Sequence, residues 1–285
     1  MTRESQGPPL CLRVSVVPPL PAIATVKITI VTPSFNGRRF LEETSRSILS
    51  QQGDFDLEWI VIDGGSTDGT PDFLRTFDHD PRVRWLSEGD RGQSHAINKG
   101  LAMAGGDVVA WLNTDDLYAP GALAAVAEAF AGNPSAQWLV GLYQIIDDAG
   151  RTIRPSVARY KERSLRRYSY RRLLRENFIS QPAVFWRRTF GEKVGPLDES
   201  LHYTMDYDLW LRMGREADPL FVDRVLAQFR LHPTSKTGRV NREQFDEQYR
   251  VACRYFGGDN VSRFVHRLNV EKIVWAYRAM RVMGI

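Results

Sequence analysis

The stretch DVVAWLNTDDLYAPGALAAVAEAF, residues 107–130, decides the fold. DVVAWLN (107–113) is a short, apolar, β-branched run with the character of a strand, and it ends in the polar turn NTDD (113–116). Pro120 then opens a helical segment at about 119–131. The same unit of strand, polar turn and helix recurs towards the N-terminus. VKITIVT (26–32), LEWIVID (57–63) and RVRWL (82–86) are further strand-like runs, separated by helix-like segments at about 38–52, 70–77 and 93–104. This alternation predicts an α/β fold with a mainly parallel central sheet and helices on both faces. Sheets of that kind bind ligands at the carboxyl ends of their strands, and here those ends carry Phe35, Asn36, Asp63, Glu88, Asp90, Asp115 and Asp116.

Further along the chain the pattern is less regular. A strand near 137–146 precedes a basic helical stretch, then a loop, NFISQPAVFWRR (177–188), and a helix opening at MDYDLWLRMG (205–214). A strand, RVLAQFRLH (224–232), and two C-terminal helices complete the reading. The first 21 residues hold five of the 15 prolines and lack the layout of a secretory signal, so residues 1–25 are expected to be a poorly ordered leader. Residues 26–258 read as one continuous domain, and 259–285 as an amphipathic C-terminal helix mixing basic and apolar residues.

Composition removes several classes of function. Of 285 residues, 43% are hydrophobic and 25% charged, enough to bury a large core, yet no run is long enough to cross a membrane. Two cysteines cannot build a disulfide framework or a zinc cage, which fits a reducing, cytoplasmic setting. The net charge of +4 is concentrated, because residues 159–176 (RYKERSLRRYSYRRLLRE) carry eight basic side chains against two acidic ones. A basic stretch on an otherwise near-neutral body suggests one anionic partner or a solvated helix face, and no nucleic-acid binding.

The phosphate-binding fingerprints fail. DGGSTDGT (63–70) is not GxGxxG, and GQSHAINKG (92–100) places Lys99 outside P-loop spacing. The strand ends share acid instead, and carboxylates gathered at one rim repel one another unless a divalent cation or sugar hydroxyls compensate them. A metal-nucleotide site is the economical expectation. Taken singly, NTDD also reads as a turn, Asp206 and Asp208 as helix caps, and His232 as a structural histidine.

TPSFN (32–36), VIDGGSTDGT (61–70), SEGDRGQSHAINKG (87–100), VAWLNTDD (109–116), MDYDLWLR (205–212) and FRLHPTSK (229–236) together resemble, in order, the successive motifs of glycosyltransferase family 2. These are inverting nucleotide-sugar transferases of the A-type fold. The resemblance implies a donor-binding half over 26–118 and an acceptor-side half over 119–258. It places Phe35 on the nucleotide base, with Thr32 and Pro33 shaping that pocket and Asp63 accepting the base ring N–H. It assigns Asp90, Asn98 and Lys99 to the nucleotide-sugar, Asp115 to the ribose or sugar, and Asp116 with His232 to Mn²⁺ or Mg²⁺. Asp206 falls where the family has its catalytic base, with Asp208 as a cap. Two departures stand out: the DxD element reads TDD, and Met205 precedes Asp206 where relatives often carry Glu.

What the resemblance implies is transfer of a sugar from a nucleotide-diphosphate donor, UDP-linked by preference, to a hydroxyl of a glycan or lipid-linked saccharide. The expected enzyme is cytoplasmic, with peripheral contact to anionic membrane through the C-terminal helix. A catalytically silent sugar-nucleotide- or glycan-binding protein is the alternative, disfavoured because a binding module has no need of a base and a metal clamp. A nucleotidyltransferase is less well matched, since Phe35 at the first turn suits base packing better than phosphate gripping.

Overall fold

The computed structural model describes residues 25–233, 235 and 242–283, with side chains described to Trp275 in the last helix. The leader expected over 1–25 falls almost wholly outside these residues, as does most of the segment following His232.

β1 (Val26–Ser34) is buried along its last seven residues, as its β-branched run requires of a strand covered on both faces. It pairs in parallel with β2 (Phe55–Asp63) on one side and β4 (Val108–Trp111) on the other, and β2 pairs in parallel with β3 (Val83–Ser87). The chain therefore changes direction across the sheet at β1. The β1–β4 ladder ends at Val31 and Trp111, so the strand ends part beyond it and leave the crevice in which such sheets bind ligands. Pro33 lies past that last pair, where its missing N–H costs no β1–β4 bond.

Beyond β4 the sheet becomes mixed, in the order β3-β2-β1-β4-β8-β6-β9-β5. β6 (Trp138–Ile146) runs parallel to β9 (Leu220–Arg230), and β5 (Leu117–Tyr118) pairs antiparallel with β9. β7 (Thr152–Ile153) hangs on β6. β8 (Val184–Arg187) runs antiparallel between β4 and β6 and joins the two halves. It lies inside the segment expected to be a loop. Its residues Val184, Phe185 and Trp186 are all buried and show no alternation, so periodicity cannot register them.

Helices α1 (Arg38–Leu49), α2 (Thr70–Arg75) and α4 (Ala122–Gly132) cover one face. The other face carries α3 (Gln93–Met103), α5 (Pro155–Leu165), α6 (Tyr170–Arg175), α7 (Arg188–Val194), α8 (Met205–Glu216) and α9 (Arg242–Cys253). There the Trp210 ring stacks between Trp111 and Trp138, with centroids 5.7 and 6.1 Å away, while Trp186 meets it edge-on. Such offset aromatic contacts add about 0.5–1.5 kcal/mol per pair beyond area burial, and they lock α8 to the sheet. α3 approaches β1 so closely that a Cβ at Gly100 would run into Val31. α10 (Asn260–Met283) packs on α6 and α9.

Candidate active site

The rim at the ends of β1 and β2 is built from two loops stitched to each other. Asn36 turns the chain out of β1 with a left-handed φ of 50°, which Asn tolerates better than most residues. Its backbone N–H donates to Ser66 Oγ at 2.7 Å, and its Oδ1 accepts from Thr67 N–H at 3.0 Å. The Arg38 N–H donates to Asp68 Oδ2 at 2.8 Å. Phe35, on this turn, is 68% exposed, an apolar ring held out at the rim of the crevice. Thr32 is buried, its hydroxyl accepting from Trp59 Nε1 at 2.9 Å, and Pro33 beside it is buried too.

Asp63 ends β2 fully buried. It accepts from Ser66 N–H at 3.0 Å, Ser66 Oγ at 2.5 Å and Ser87 Oγ at 2.7 Å. A carboxylate offers about four lone-pair positions, so one is left for a further N–H donor. Asp90 accepts from Gly92 N–H at 2.7 Å and closes over Gly64. Lys99 is engaged by Glu88 at 2.6 Å. Asn98 bonds the loop before α8: its Oδ1 accepts from Leu197 N–H at 2.9 Å, while its Nδ2 donates to Leu197 O and Glu199 Oε1. Both ends of the amide thus tie α3 to the loop before α8, and one lone pair of Oδ1 stays uncommitted.

The acidic turn after β4 meets the end of β9. His232 Nε2 lies 3.0 Å from Asp115 Oδ2. Asp116 is fully buried, accepting from Arg230 N–H at 2.9 Å and from Asn113 Nδ2 at 3.2 Å. Burial and the neighbouring Asp115 carboxylate push the Asp116 carboxyl well above the usual range. Of the two acids it is Asp115 that touches His232 and stays partly open, with 26% of its side chain exposed. Among the described residues no three His, Cys, Asp or Glu side chains converge into a metal cage. Oxygen and imidazole nitrogen are ligand types a divalent cation accepts, but Asp116 lies buried behind the partly open Asp115, already bonded to Arg230 and Asn113.

Arg230, which a reading by motif passes over, organises this corner. Its buried guanidinium donates to the Asp115, Asp147 and Asp148 carbonyls and pairs with Glu43 at 2.5 Å. Asn113, Gln93 and Gln181 form a second set of struts: Gln93 Nε2 donates to Asn113 Oδ1 at 2.7 Å, and Gln181 bonds Asn113 and Trp111 O. The NTDD motif hinted at Asn113. Gln181 and Arg230 carried no local signal, since their partners lie tens of residues away.

Asp206 sits in the first turn of α8, with Tyr207 N–H donating to it at 2.7 Å. Burial raises its pKa to about 6, against the opposing pull of that N–H and of the Lys161 ammonium. No side-chain donor binds it among the described residues. Asp208 is no cap: it is buried, paired with Arg212 at 2.9 Å, and accepts from Tyr255 OH at 2.7 Å. The turn leading into α8 is held from α9 by Glu247, which accepts from the His202, Tyr203 and Thr204 N–H groups and from the Thr204 hydroxyl.

A family model described as glycosyl transferase family 2 matches residues 29–192. An uncharacterized glycosyltransferase of Rickettsia conorii is 25% identical over 252 residues, covering 87% of this chain and 39% of its own. One of Mycobacterium tuberculosis is 29% identical over 206 residues, covering 71% of this chain and 74% of its own. The chain thus spans about two fifths of the length of the Rickettsia conorii protein. Among solved structures, S. aureus TarS 1–349 in complex with UDP-GlcNAc aligns with a TM-score of 0.61 at 18% identity, over 82% of this chain and 67% of that one. Mannosyltransferase PcManGT from Pyrobaculum calidifontis, in complex with GDP-Man and Mn²⁺, aligns with a TM-score of 0.62 at 18% identity, over 92% and 76%. At these identities the two structures show the fold.

Proposed function

We propose, from the premise that the chain belongs to glycosyl transferase family 2, that it is an inverting transferase. It moves a sugar from a nucleotide-diphosphate donor, UDP-linked by preference, to a hydroxyl of a glycan or lipid-linked saccharide. Similar folds that bind UDP-GlcNAc and GDP-Man support a nucleotide-sugar donor. Phe35 packs on the base, Asp63 accepts its ring N–H through the remaining lone pair, and Asp90 and Lys99 line the same rim. Asp115 faces the ribose or sugar, and Asp116 with His232 holds Mn²⁺ or Mg²⁺, a role supported by the Mn²⁺ in the complex of PcManGT. That cation, when bound, offsets the charge developing on the departing diphosphate.

The observation that carries the reading is the contrast between two acids. Asp116 is buried and fastened by hydrogen bonds, whereas Asp206 has no side-chain donor among the described residues and a pKa raised to about 6. An acceptor hydroxyl must lose its proton as the new bond forms, and a carboxylate whose pKa approaches the working pH is the better base. Direct displacement by that hydroxyl needs no covalent enzyme intermediate and inverts the anomeric centre. The reaction is set in the cytoplasm, with the enzyme meeting its acceptor at an anionic membrane face.

Release of nucleoside diphosphate from a panel of UDP-, GDP- and dTDP-sugars, with Mg²⁺ or Mn²⁺, tests donor and metal together. Turnover of a UDP-sugar above the others is the expected result, and no release from any donor would overturn the reading. The pH profile adds a sign. With the base form of Asp206 present above its folded pKa, transfer rises with pH through about 6. An acid limb centred near that of an ordinary Asp, about 4, would move the base elsewhere.

A further inference from the structure

α10 has two apolar faces. Ser262, His266, Val270 and Val274 are buried, on the side that packs against α6 and α9. At 100° per residue they fall opposite a second row, Val261, Phe264, Leu268 and Trp275, which occupies a sector of about 60°. That second row is solvent-facing: Phe264 is 63% exposed and Trp275 73%. Among the described residues, packing therefore accounts for one face of the helix and leaves the other exposed. Four large apolar side chains aligned in this way exceed the scattered exposure ordinary for a protein surface.

The charges around the row identify its occupant. The acidic groups nearby are already neutralised, Glu271 by Arg242 at 2.8 Å and Asp259 by Arg171 at 2.9 Å. Arg267, against the Tyr249 ring, and the exposed Lys272 flank the row on its two sides, unpaired with any carboxylate among the described residues, whereas Arg263 falls in the packed sector over the Phe256 ring. An apolar row carrying an exposed Trp and bordered by unneutralised cations is the arrangement of a helix lying in the interface of an anionic bilayer. A protein partner would ask for no such excess of positive charge. We propose that the outer face of α10 docks this enzyme on an anionic lipid surface through Val261, Phe264, Leu268 and Trp275. α6 and α9, on which α10 lies, both also pack on α8, whose first turn carries Asp206. These two helices therefore lie between the docking face and α8. The inference rests on the proposed lipid-linked acceptor for its purpose, but the binding itself does not.

The experiment is co-sedimentation of the full chain with phosphatidylglycerol–phosphatidylcholine vesicles and with phosphatidylcholine alone, at low and high salt. Binding is expected to the anionic vesicles at low salt, to weaken at high salt, and to shift Trp fluorescence to the blue. Trp275→Phe should abolish most of that shift. Phe264→Asp combined with Leu268→Asp should lower the bound fraction about tenfold or more, while donor hydrolysis and the thermal melt stay those of the wild type. If the double variant does not fold, Trp275→Ser serves in its place. Equal binding to neutral vesicles, no binding at all, or binding unchanged by the substitutions would overturn the proposal. So would self-association that the substitutions abolish, because the face would then belong to a second copy. Donor hydrolysis is read separately, so loss of the lipid proposal leaves the glycosyltransferase reading standing, and the reverse holds too.

Discussion

The two halves of the molecule hold their chemistry in opposite ways. On the donor side the polar groups are largely engaged. Asp63 accepts three hydrogen bonds, Asp116 two, and the turns at Asn36 and Ser66 fasten each other. On the acceptor side Asp206 is held in place mainly by its neighbours: Glu247 fixes the turn before it, and the Trp210 stack fixes the helix behind it. A binding surface gains from groups whose orientation is set before the ligand arrives, whereas a base must keep a lone pair uncommitted. The difference therefore matches the division of labour proposed here.

The sharpest test of that contrast is Asp206→Asn. Transfer should fall by about two to four orders of magnitude with donor affinity retained, as for a lost general base. The same variant should be more stable. The folded pKa of about 6 lies above the unfolded value. Folding is therefore weakened as pH rises through that window, and at neutral pH the amide relieves of order 1–3 kcal/mol. A higher Tm with activity intact would make Asp206 structural.

Asp116→Ala acts on the engaged side and should lower metal-dependent turnover by about two to three orders of magnitude, the scale of a lost electrostatic stabiliser. Full activity in excess chelator would break the metal assignment outright. Phe35→Ala should weaken donor binding by about 1–3 kcal/mol with little change in turnover once donor saturates, as expected for a stacked base. An unchanged donor Kd would remove the ring from the nucleotide. The smallest effect is expected at Glu247→Gln. Its carboxylate raises the Asp206 pKa, so the acid limb of the pH profile should move to lower pH by a few tenths, with a modest loss of Tm. A limb that stays in place would uncouple α9 from the base.

The donor half was legible in sequence because each of its strands is followed by its own turn and helix, so local pattern and global fold agree. Phe35, Asp63 and the Asp115–Asp116 pair stand at strand ends in the chain as they do in space. β8 was hidden because a short, wholly buried strand has no period. The contacts of Asn98 were hidden for a related reason: a motif fixes its position on α3, but not that Leu197 and Glu199 fold back against its amide. Asp208 has the spacing of a cap, yet Arg212 and Tyr255 claim it. Gln181, Arg230 and Glu247 share that limitation, since what each does is defined by partners brought near only by the completed sheet and helices.

The pairing of β5 with β9 sets Asp115 beside His232 across a separation of 117 residues. During synthesis the acidic turn leaves the ribosome long before the strand that completes it. At about 5–20 residues per second, the interval is roughly 6 to 23 s. Through that time β1 to β4 can assemble, but Asp116 lacks the Arg230 N–H that shares its burial, and its charge stays in water. The donor-binding half is therefore expected to be born ahead of its own catalytic centre. A nascent chain stalled before β9 should protect the early strands from proteolysis while releasing no nucleoside diphosphate, and activity should appear in one step once the last strand of the sheet is in place.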